Sequence, residues 1–402
     1  MKQVDIAIVG AGPAGLCLAR ALAHTGLKIL LIEKRSVDFV SNPLCDGREI
    51  ALSHSSRAIL EQLAIWQRLP SSEIFPLVHA KVLDGHPDFA LQFSAHTVHS
   101  QSLGWLVPNH CIRLAAWQAV QDQPNLCFVP ETCIEKIEHE SRTIALTLSN
   151  LQKYRTQLLV AADSRFSSTR QLLSIGAHMQ DFGKKMLICR MQLEKPHNNT
   201  AVEWFKYGHT AALLPLSQGL ASAVMTLPQT QLNALLASDN ATFNQKVTEL
   251  YGWRFGQMTQ VEERHVYPLI TAYAETFHAP RAALVGDAAV GMHPMTAHGF
   301  NYGLQSQARL AHHICSALRA GRDFGAHEYL QRYACRHRLA TYPLYKTTNT
   351  IAAVYDRTDW SARLVRASAL RTAQWCAPLR FCIAAKLTQR TGVFGSFTSA
   401  AH

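Results

Sequence analysis

The stretch Val4-Asp5-Ile6-Ala7-Ile8-Val9-Gly10-Ala11-Gly12-Pro13-Ala14-Gly15 decides the fold. Its first six residues are a short, β-branched apolar run of the kind a parallel sheet buries on both faces. Three glycines follow at GxGxxG spacing, then a helix-compatible segment rich in Ala and Leu from Leu16 to His24. Thr25-Gly26 ends that segment, and Lys28-Ile29-Leu30-Leu31-Ile32 is a second buried strand that closes on Glu33. The spacing has a physical purpose. Gly10 permits the tight turn, Gly12 lets backbone N–H groups approach a pyrophosphate, and Gly15 lets helix and strand pack closely. Glu33, at the tip of the second strand, is placed to accept hydrogen bonds from a ribose. A GxGxxG alone is weak, but here strand, helix, second strand and acid stand in order and predict a dinucleotide site. NAD, NADP and FAD all use such a unit. The carboxylate at position 33 disfavours a 2′-phosphate, so NADP is the poorest match.

Working outward, the chain has 402 residues, 48% hydrophobic and only 17% charged, which allows a large core and argues against wholesale disorder. No run of 18 apolar residues marks a membrane span, and the N-terminus lacks the apolar region and cleavage site of a secretory signal. Ten cysteines are scattered without a CxxC pair, which suits reduced thiols in the cytosol. The 20 histidines form no HExxH and no Cys/His set at zinc spacing, so no metal is expected. The formal charge of +11 is uneven. Between Gln331 and Arg390, eleven Lys/Arg face only Asp356 and Asp359.

Three further segments follow the dinucleotide unit: Asp46-Gly47-Arg48-Glu49-Ile50-Ala51-Leu52-Ser53, Val160-Ala161-Ala162-Asp163-Ser164-Arg165-Phe166-Ser167, and Ala283-Leu284-Val285-Gly286-Asp287-Ala288-Ala289 with His293-Pro294 and Gly299-Phe300-Asn301 behind it. Alone, a Gly-Asp pair is a turn, Arg48 a solvated charge, and His293 or His298 a loop histidine. In this order they resemble the FAD-dependent aromatic hydroxylases of the para-hydroxybenzoate hydroxylase class. Within that class the chain is similar to the UbiH/UbiF/VisC ubiquinone-biosynthesis monooxygenases, and among those to the UbiM subgroup. The resemblance runs from Val4 to about Thr388. Between and after the motifs, Ser55 to Leu69 and Tyr302 to Ala320 read as helices, while Ala201–Tyr207, His209–Leu214 and Ala221–Thr226 alternate as strands.

It implies an α/β fold: a Rossmann-type βαβ FAD-binding domain (1–70, 98–177 and 276–330), an inserted antiparallel-sheet substrate domain (71–97 and 178–275), and a helical, basic C-terminal region (331–402). It also implies FAD held by Gly10, Gly12, Ala14, Gly15, Glu33, Lys34, Arg48, Asn109, Arg113, Asp163, Gly286, Asp287, Pro294, Gly299 and Asn301. Asp287 resembles the acid that binds the ribityl chain, and Arg48 the arginine that reaches the flavin phosphates or ribose. Pro294 to Gly299 resembles the loop beside the flavin ring. His293, Pro294 and His298 are the residues implied nearest the chemistry. Two motifs depart from the family. Asp163-Ser164 stands where it reads Asp-Gly, which bears on direct NAD(P)H handling. Ala297-His298-Gly299 stands where it reads Gly-Gln-Gly, which bears on the pocket above the flavin.

Only one dinucleotide fingerprint is present, so FAD is expected as resident and NAD(P)H or another donor as a transient visitor. The implied reaction splits O2 on the reduced flavin and hydroxylates a polyprenylated phenol or benzoquinol ring in ubiquinone biosynthesis, with C5 of a demethoxyubiquinol-like intermediate favoured and other ring positions left open. The protein would then supply water exclusion, positioning and charge stabilisation. The basic segment from Tyr342 to Thr388, with Trp360, Leu364, Trp375, Leu379 and Phe381 interleaved, suits a helix lying on an anionic membrane surface or an ordinary solvated face. A peripheral, cytoplasmic location follows, with other ubiquinone-biosynthesis proteins as partners and no nucleic acid. The rival readings are a hydroxylase of a small soluble aromatic acid, a flavoprotein that reduces prenyl double bonds, and a non-catalytic flavoprotein scaffold. The first rival would need an anion-binding arginine in the pocket.

Overall fold

The apolar runs read from the sequence are the centre of the first sheet. In the structure, a computed structural model that describes residues 1–206, 208–217, 219–294, 298–356, 368 and 371–376, Ile6, Ala7, Ile8, Leu30, Leu31 and Ile32 have no exposed surface. Lys2–Val9 pairs in parallel with Ile29–Ile32 on one side and Lys153–Ala161 on the other. Leu126–Val129 extends the parallel set beyond Ile29–Ile32, and Ala282–Leu284 extends it beyond Lys153–Ala161. Strands buried on both faces have no alternation to show, which is why their sequences read as continuous apolar runs.

The parallel strands finish together. Gly10 N–H donates to the Ile32 carbonyl at 2.8 Å, Ala162 N–H to Val9 at 2.8 Å, and Val285 N–H to Ala161 at 2.9 Å. The loops Gly10–Gly12, Asp163–Arg165 and Gly286–Ala288 therefore emerge along one edge, where open α/β sheets bind ligands. The first helix, Pro13–Ala21, starts three residues before the predicted Leu16 because Pro13 occupies its first turn, a position that requires no N–H. The long helix Gly299–Arg319 packs across it, starting three residues ahead of the predicted Tyr302. The predicted Ser55–Leu69 helix is His54–Gln62, capped by the Ser53 hydroxyl accepting from Ser56 N–H, followed by the short turn Trp66–Arg68.

The second sheet has nine strands, running Val290–Gly291, His265–Ala274, Ala177–Leu193, Leu220–Leu227, His209–Pro215, Thr200–Lys206, His79–Asp84 and His86–Ser94, with Met258–Gln260 against Ala177–Leu193. Three of these strands were predicted from alternation to within a residue or two. Side chains follow the two-residue period. Leu187, Cys189, Val202, Trp204, Leu213 and Met225 point to one face, where Leu232, Phe243 and Val247 of two helices cover them. The opposite face looks toward the first sheet.

Two features depart from the expected all-antiparallel roof. Thr200–Lys206 pairs in parallel with His79–Asp84. The second of these strands arrives by a long excursion from the first sheet, so no hairpin fixes its direction. Phe75–Leu77 does not join the roof at all. It pairs with Gly104–Pro108, which also pairs with Glu49–Leu52, making a separate three-stranded sheet.

After the long helix, His327–Asp356 forms a second helix of 30 residues. The short segment that includes Ala373 packs against Leu91, Phe93 and Leu103, and the Gln92 N–H on the edge strand donates to the Gln374 side chain at 3.1 Å. A side chain thus satisfies a backbone donor that the sheet edge leaves open. Trp375 is 84% exposed. Trp360, Leu364, Leu379 and Phe381 of the predicted basic helix lie outside the described residues. Among the described residues no helix is long and apolar enough to cross a membrane.

Candidate functional site

The glycine loop is built as the spacing requires. Gly10 has φ +105°, and a Cβ there would sit 2.6 Å from the Ala162 carbonyl oxygen. A Cβ on Gly15 would fall on the Gly10 carbonyl itself. Gly286, at φ +62°, lies close enough to Ala14 that a Cβ would approach the Ala14 methyl to 2.9 Å. Gly12 differs: nothing lies within 4 Å of its Cβ position, so the N-terminus of the Pro13–Ala21 helix opens onto free space and no side chain caps it. Glu33 is fixed beside this opening. Its carboxylate accepts the Ala11 N–H at 2.7 Å and the Arg35 N–H at 2.9 Å. Uncapped N–H groups, open space and an anchored acid fit the pyrophosphate and ribose of a dinucleotide.

A cavity of about 570 Å³ lies between the strand ends and the roof sheet. Of the residues implied by sequence, Arg48, Asn109, Asp287, His293, Pro294 and Gly299 line it together. Asp46 organises its first corner. The Asp46 carboxylate accepts from Arg48 Nη2 at 2.6 Å and Asn109 Nδ2 at 2.7 Å, and Tyr267 donates its hydroxyl to the Asp46 carbonyl at 2.6 Å. Burial pushes the Asp46 carboxyl up, but the hydrogen bonds and positive charge of Arg48, with Asn109, outweigh it and hold the carboxyl below its usual range. At a second corner Asp287 pairs with Arg165 at 3.1 Å, while Arg165 also donates to the Ile270 carbonyl at 2.7 Å. Both arginines at this end of the cavity are therefore matched by a carboxylate. Between them the helix Gly299–Arg319 begins at the cavity wall, also without a side-chain cap, so its dipole favours negative charge there.

Other implied residues lie elsewhere. Asn301 is buried and locks the long helix to the small sheet, accepting from Ser53 N–H at 2.9 Å and donating to the Ala51 carbonyl at 2.8 Å. Asp163 organises its own loop, accepting from the Ser167 hydroxyl at 2.5 Å and Thr169 N–H at 3.0 Å. Lys34 is exposed, and Arg113 stacks over Phe39 at 4.7 Å while donating to the Phe39 carbonyl. His298 is buried at the start of the long helix, near Tyr302. Gly286 donates its N–H to the Ser306 hydroxyl at 2.8 Å, which fixes the turn that presents Asp287.

The Asp-Ser departure has a conformational meaning. Ser164 sits at φ +82°, the left-handed region that glycine enters freely and other L-residues enter at a cost of about 1–2 kcal/mol. Its side chain lines the cavity. Sequence reasoning named the motif but missed Arg165, Glu203, Tyr267, Phe182 and Tyr355, which also line the cavity. Phe182 meets His293 edge-on at 4.8 Å, so the implied histidine is held by an aromatic ring from the roof.

Behind the cavity wall, Arg190 of the roof gathers three carboxylates: Glu49 at 2.8 Å, Glu262 at 3.2 Å and Glu73 at 3.3 Å. Burial dominates at Glu49 and, despite Arg190, pushes its carboxyl up to about 7. This buried cluster ties the small sheet to the roof.

Comparison with known proteins agrees with this geometry. The sequence matches the FAD binding domain family over residues 3–340. It is 40% identical to the ubiquinone hydroxylase UbiM of Neisseria meningitidis across 96% of this chain and 84% of that protein. It is 28% identical to the ubiquinone hydroxylase UbiL of Rhodospirillum rubrum across 94% and 88%, and 27% identical to the 3-demethoxyubiquinol 3-hydroxylase of Escherichia coli across 83% and 85%. Among solved structures, the p-nitrophenol 4-monooxygenase PnpA of Pseudomonas putida has the same fold, with a TM-score of 0.76 at 15% identity over 98% of this chain and 100% of that one. PqsL of Pseudomonas aeruginosa gives 0.70 at 17% identity over 96% and 100%. The chain belongs to the family of FAD-dependent monooxygenases that includes the ubiquinone hydroxylases, and FAD is its cofactor.

Proposed function

We propose that this monooxygenase hydroxylates the ring of a polyprenylated phenol or benzoquinol in ubiquinone biosynthesis, with C5 of a demethoxyubiquinol-like intermediate as the favoured position. The observation that carries this reading is the chemistry of the cavity. Its roof face presents Met186, Ile188, Ala212, Leu214 and Val224, and the carboxyl there belongs to the protein, at Glu203. An aromatic acid would need a cation to receive its carboxylate, yet Arg48 and Arg165 already hold Asp46 and Asp287, and Lys184, the other cation of the lining, is also engaged. An uncharged ring with an apolar substituent matches this lining better. The names of the relatives, three of them ubiquinone or demethoxyubiquinol hydroxylases, support the same substrate class.

The Gly12 opening and Glu33 would hold the pyrophosphate and ribose of FAD, and Asp287 its ribityl chain. Bound there, FAD supplies the activation of O2 once reduced. The chain's own contribution is placement. The start of the Gly299–Arg319 helix favours negative charge on the ring system, the roof excludes water, and the Asp46–Arg48–Asn109 corner stays fixed while a ring binds. Electrons would come from NAD(P)H or another donor visiting the site. Association with an anionic membrane surface is part of the proposal. The described part of the C-terminal region supports it with Leu339, Tyr342 and Ile351 exposed on a helix that also carries Arg332, Arg336, Arg338 and Lys346. The division into FAD-binding, roof and C-terminal parts is likewise proposed as functional.

The test compares substrates. FAD-loaded protein, reduced and exposed to O2, is given a short-chain demethoxyubiquinol analogue or a soluble hydroxybenzoate, and products are weighed by mass spectrometry. The proposal expects a gain of one oxygen on the quinol and none on the acid. The reverse pattern would overturn it.

A further inference from the structure

The cavity face of the roof is laid out in rows by its register. Ile188 pairs with Val224, Val224 with Ala212, and Ala212 with Glu203, so one row crosses four strands and ends on a carboxyl. The neighbouring row is Met186, Thr226, Thr210 and Phe205. Eight positions thus hold one ionisable side chain. The ring of Phe205 stacks at 3.9 Å on Tyr355 from the C-terminal helix, and Tyr355 closes the cavity on the side where Glu203 stands.

The Glu203 carboxyl makes no hydrogen bond or ion pair with any described residue. Burial is the one influence on it and pushes it up to about 8. A strand facing an apolar space gains nothing structural from such a group. Thr or Val would pack there without the desolvation cost, and an acid left without a partner but aimed into a cavity marks a ligand contact. A carboxylic acid that keeps its proton offers one O–H donor and a carbonyl acceptor side by side. A ring hydroxyl has the complementary pair, one O–H and its lone pairs.

We propose that Glu203 is a specificity-determining residue that reads a free ring hydroxyl of the substrate, so that the cavity selects phenols and quinols over rings alkylated at that oxygen. The inference rests on the reading of the cavity as the site of a phenol or quinol ring. A methyl ether in the same place can accept from the acid but cannot donate to it, and its methyl group crowds the carboxyl. The acid also turns away carboxylate-bearing rings, whose charge would meet a second acidic group and no unmatched arginine.

The experiment uses FAD-loaded protein and two probes, a phenol with a short prenyl chain and its O-methyl ether. Binding is read from perturbation of the flavin absorbance, and turnover as KM and kcat. Wild type is expected to favour the phenol by tenfold or more in both Kd and KM. Glu203→Leu should bring the two probes within about threefold of each other, chiefly through KM, while flavin content holds and Tm stays level or rises. Glu203→Val, which matches Val224 in the same row and carries neither donor nor acceptor, should do the same and serves if the leucine variant fails to fold. Glu203→Gln, which keeps a donor and an acceptor, should retain most of the preference. A leucine or valine variant that keeps the wild-type preference would overturn the role of Glu203 while leaving the proposed reaction intact. A wild-type protein that binds neither probe would overturn the ring-hydroxylation reading and this inference with it.

Discussion

The Glu33 carboxylate accepts the Ala11 backbone N–H at 2.7 Å, so the acid at the end of the second parallel strand is tied into the glycine loop at the end of the first. This bond orients the side chain for the ribose and simultaneously holds open the helix N-terminus beside it. Glu33→Ala removes both effects and leaves the Ala11 N–H without its partner. FAD affinity, followed by quenching of flavin fluorescence on titration into apoprotein, should fall by about 10- to 100-fold, the equivalent of losing one or two charge-assisted hydrogen bonds. An unchanged Kd would remove Glu33 from the site.

Ser164 occupies a backbone conformation suited to glycine, at φ +82°. Ser164→Gly should raise stability by about 1 kcal/mol, because relief of the left-handed strain exceeds the extra chain entropy of glycine. Thermal melts of the FAD-bound protein would show the gain. A lower Tm would mean that the serine side chain contributes more in the cavity than its backbone costs.

Arg190 is the cation shared by Glu49, Glu73 and Glu262, and its side chain is 9% exposed. Removing it as Arg190→Met leaves the buried Glu49 without a counter-charge beside the half-buried Glu73 and Glu262, a change that costs at most about 3–5 kcal/mol. Chemical denaturation at neutral pH should show a loss of that order. It should shrink in the double variant Arg190→Met with Glu49→Gln, since one of the stranded charges is then gone.

The carboxyls of the cavity region give stability opposite dependences on pH. Glu49 and Glu203 are raised in the folded protein from 4.5, to about 7 and about 8. Between pH 4.5 and those values the folded state keeps protons that the unfolded chain has released, so stability falls as pH rises through that window. Asp46 is lowered from 3.8, and its contribution is present above that pH and lost as pH falls below it. Melts of wild type and Glu203→Gln from pH 5 to pH 8 should therefore diverge, wild type losing Tm relative to the variant toward pH 8. Parallel curves would show that Glu203 titrates as an ordinary exposed acid.

The sequence was most legible where burial is complete. Val4–Val9 and Ile29–Ile32 are apolar on both faces, a Cβ at Gly10 or Gly15 would lie under 3 Å from backbone atoms and so forces glycine there, and their spacing therefore reads directly. Alternation found Thr200–Lys206, His209–Pro215 and Leu220–Leu227 for the same reason, since one face of each packs on helices. Alternation cannot say what the other face meets. In Ala201-Val202-Glu203-Trp204-Phe205 the acid reads as a solvent-facing position, and only the folded arrangement turns that face into a cavity wall. Asp46 with Asn109, or Arg165 with Ile270 and Asp287, join positions 63 to 122 residues apart, and no local pattern encodes such pairs. Ala177–Leu193 was missed as one strand because its first half is mostly exposed and its pairing with His265–Ala274 is interrupted between Asp181 and Lys185.

In the proposed reaction, O2 taken up by the reduced FAD protein delivers an oxygen atom to a phenol or quinol ring. Single-turnover reaction of the reduced protein with ¹⁸O₂ and a short-chain demethoxyubiquinol analogue tests it most directly. One ¹⁸O atom is expected in a new ring hydroxyl, with fragmentation placing it on the ring and not on the side chain. Flavin that is bound, reduced and reoxidised while the quinol is recovered without label would contradict it.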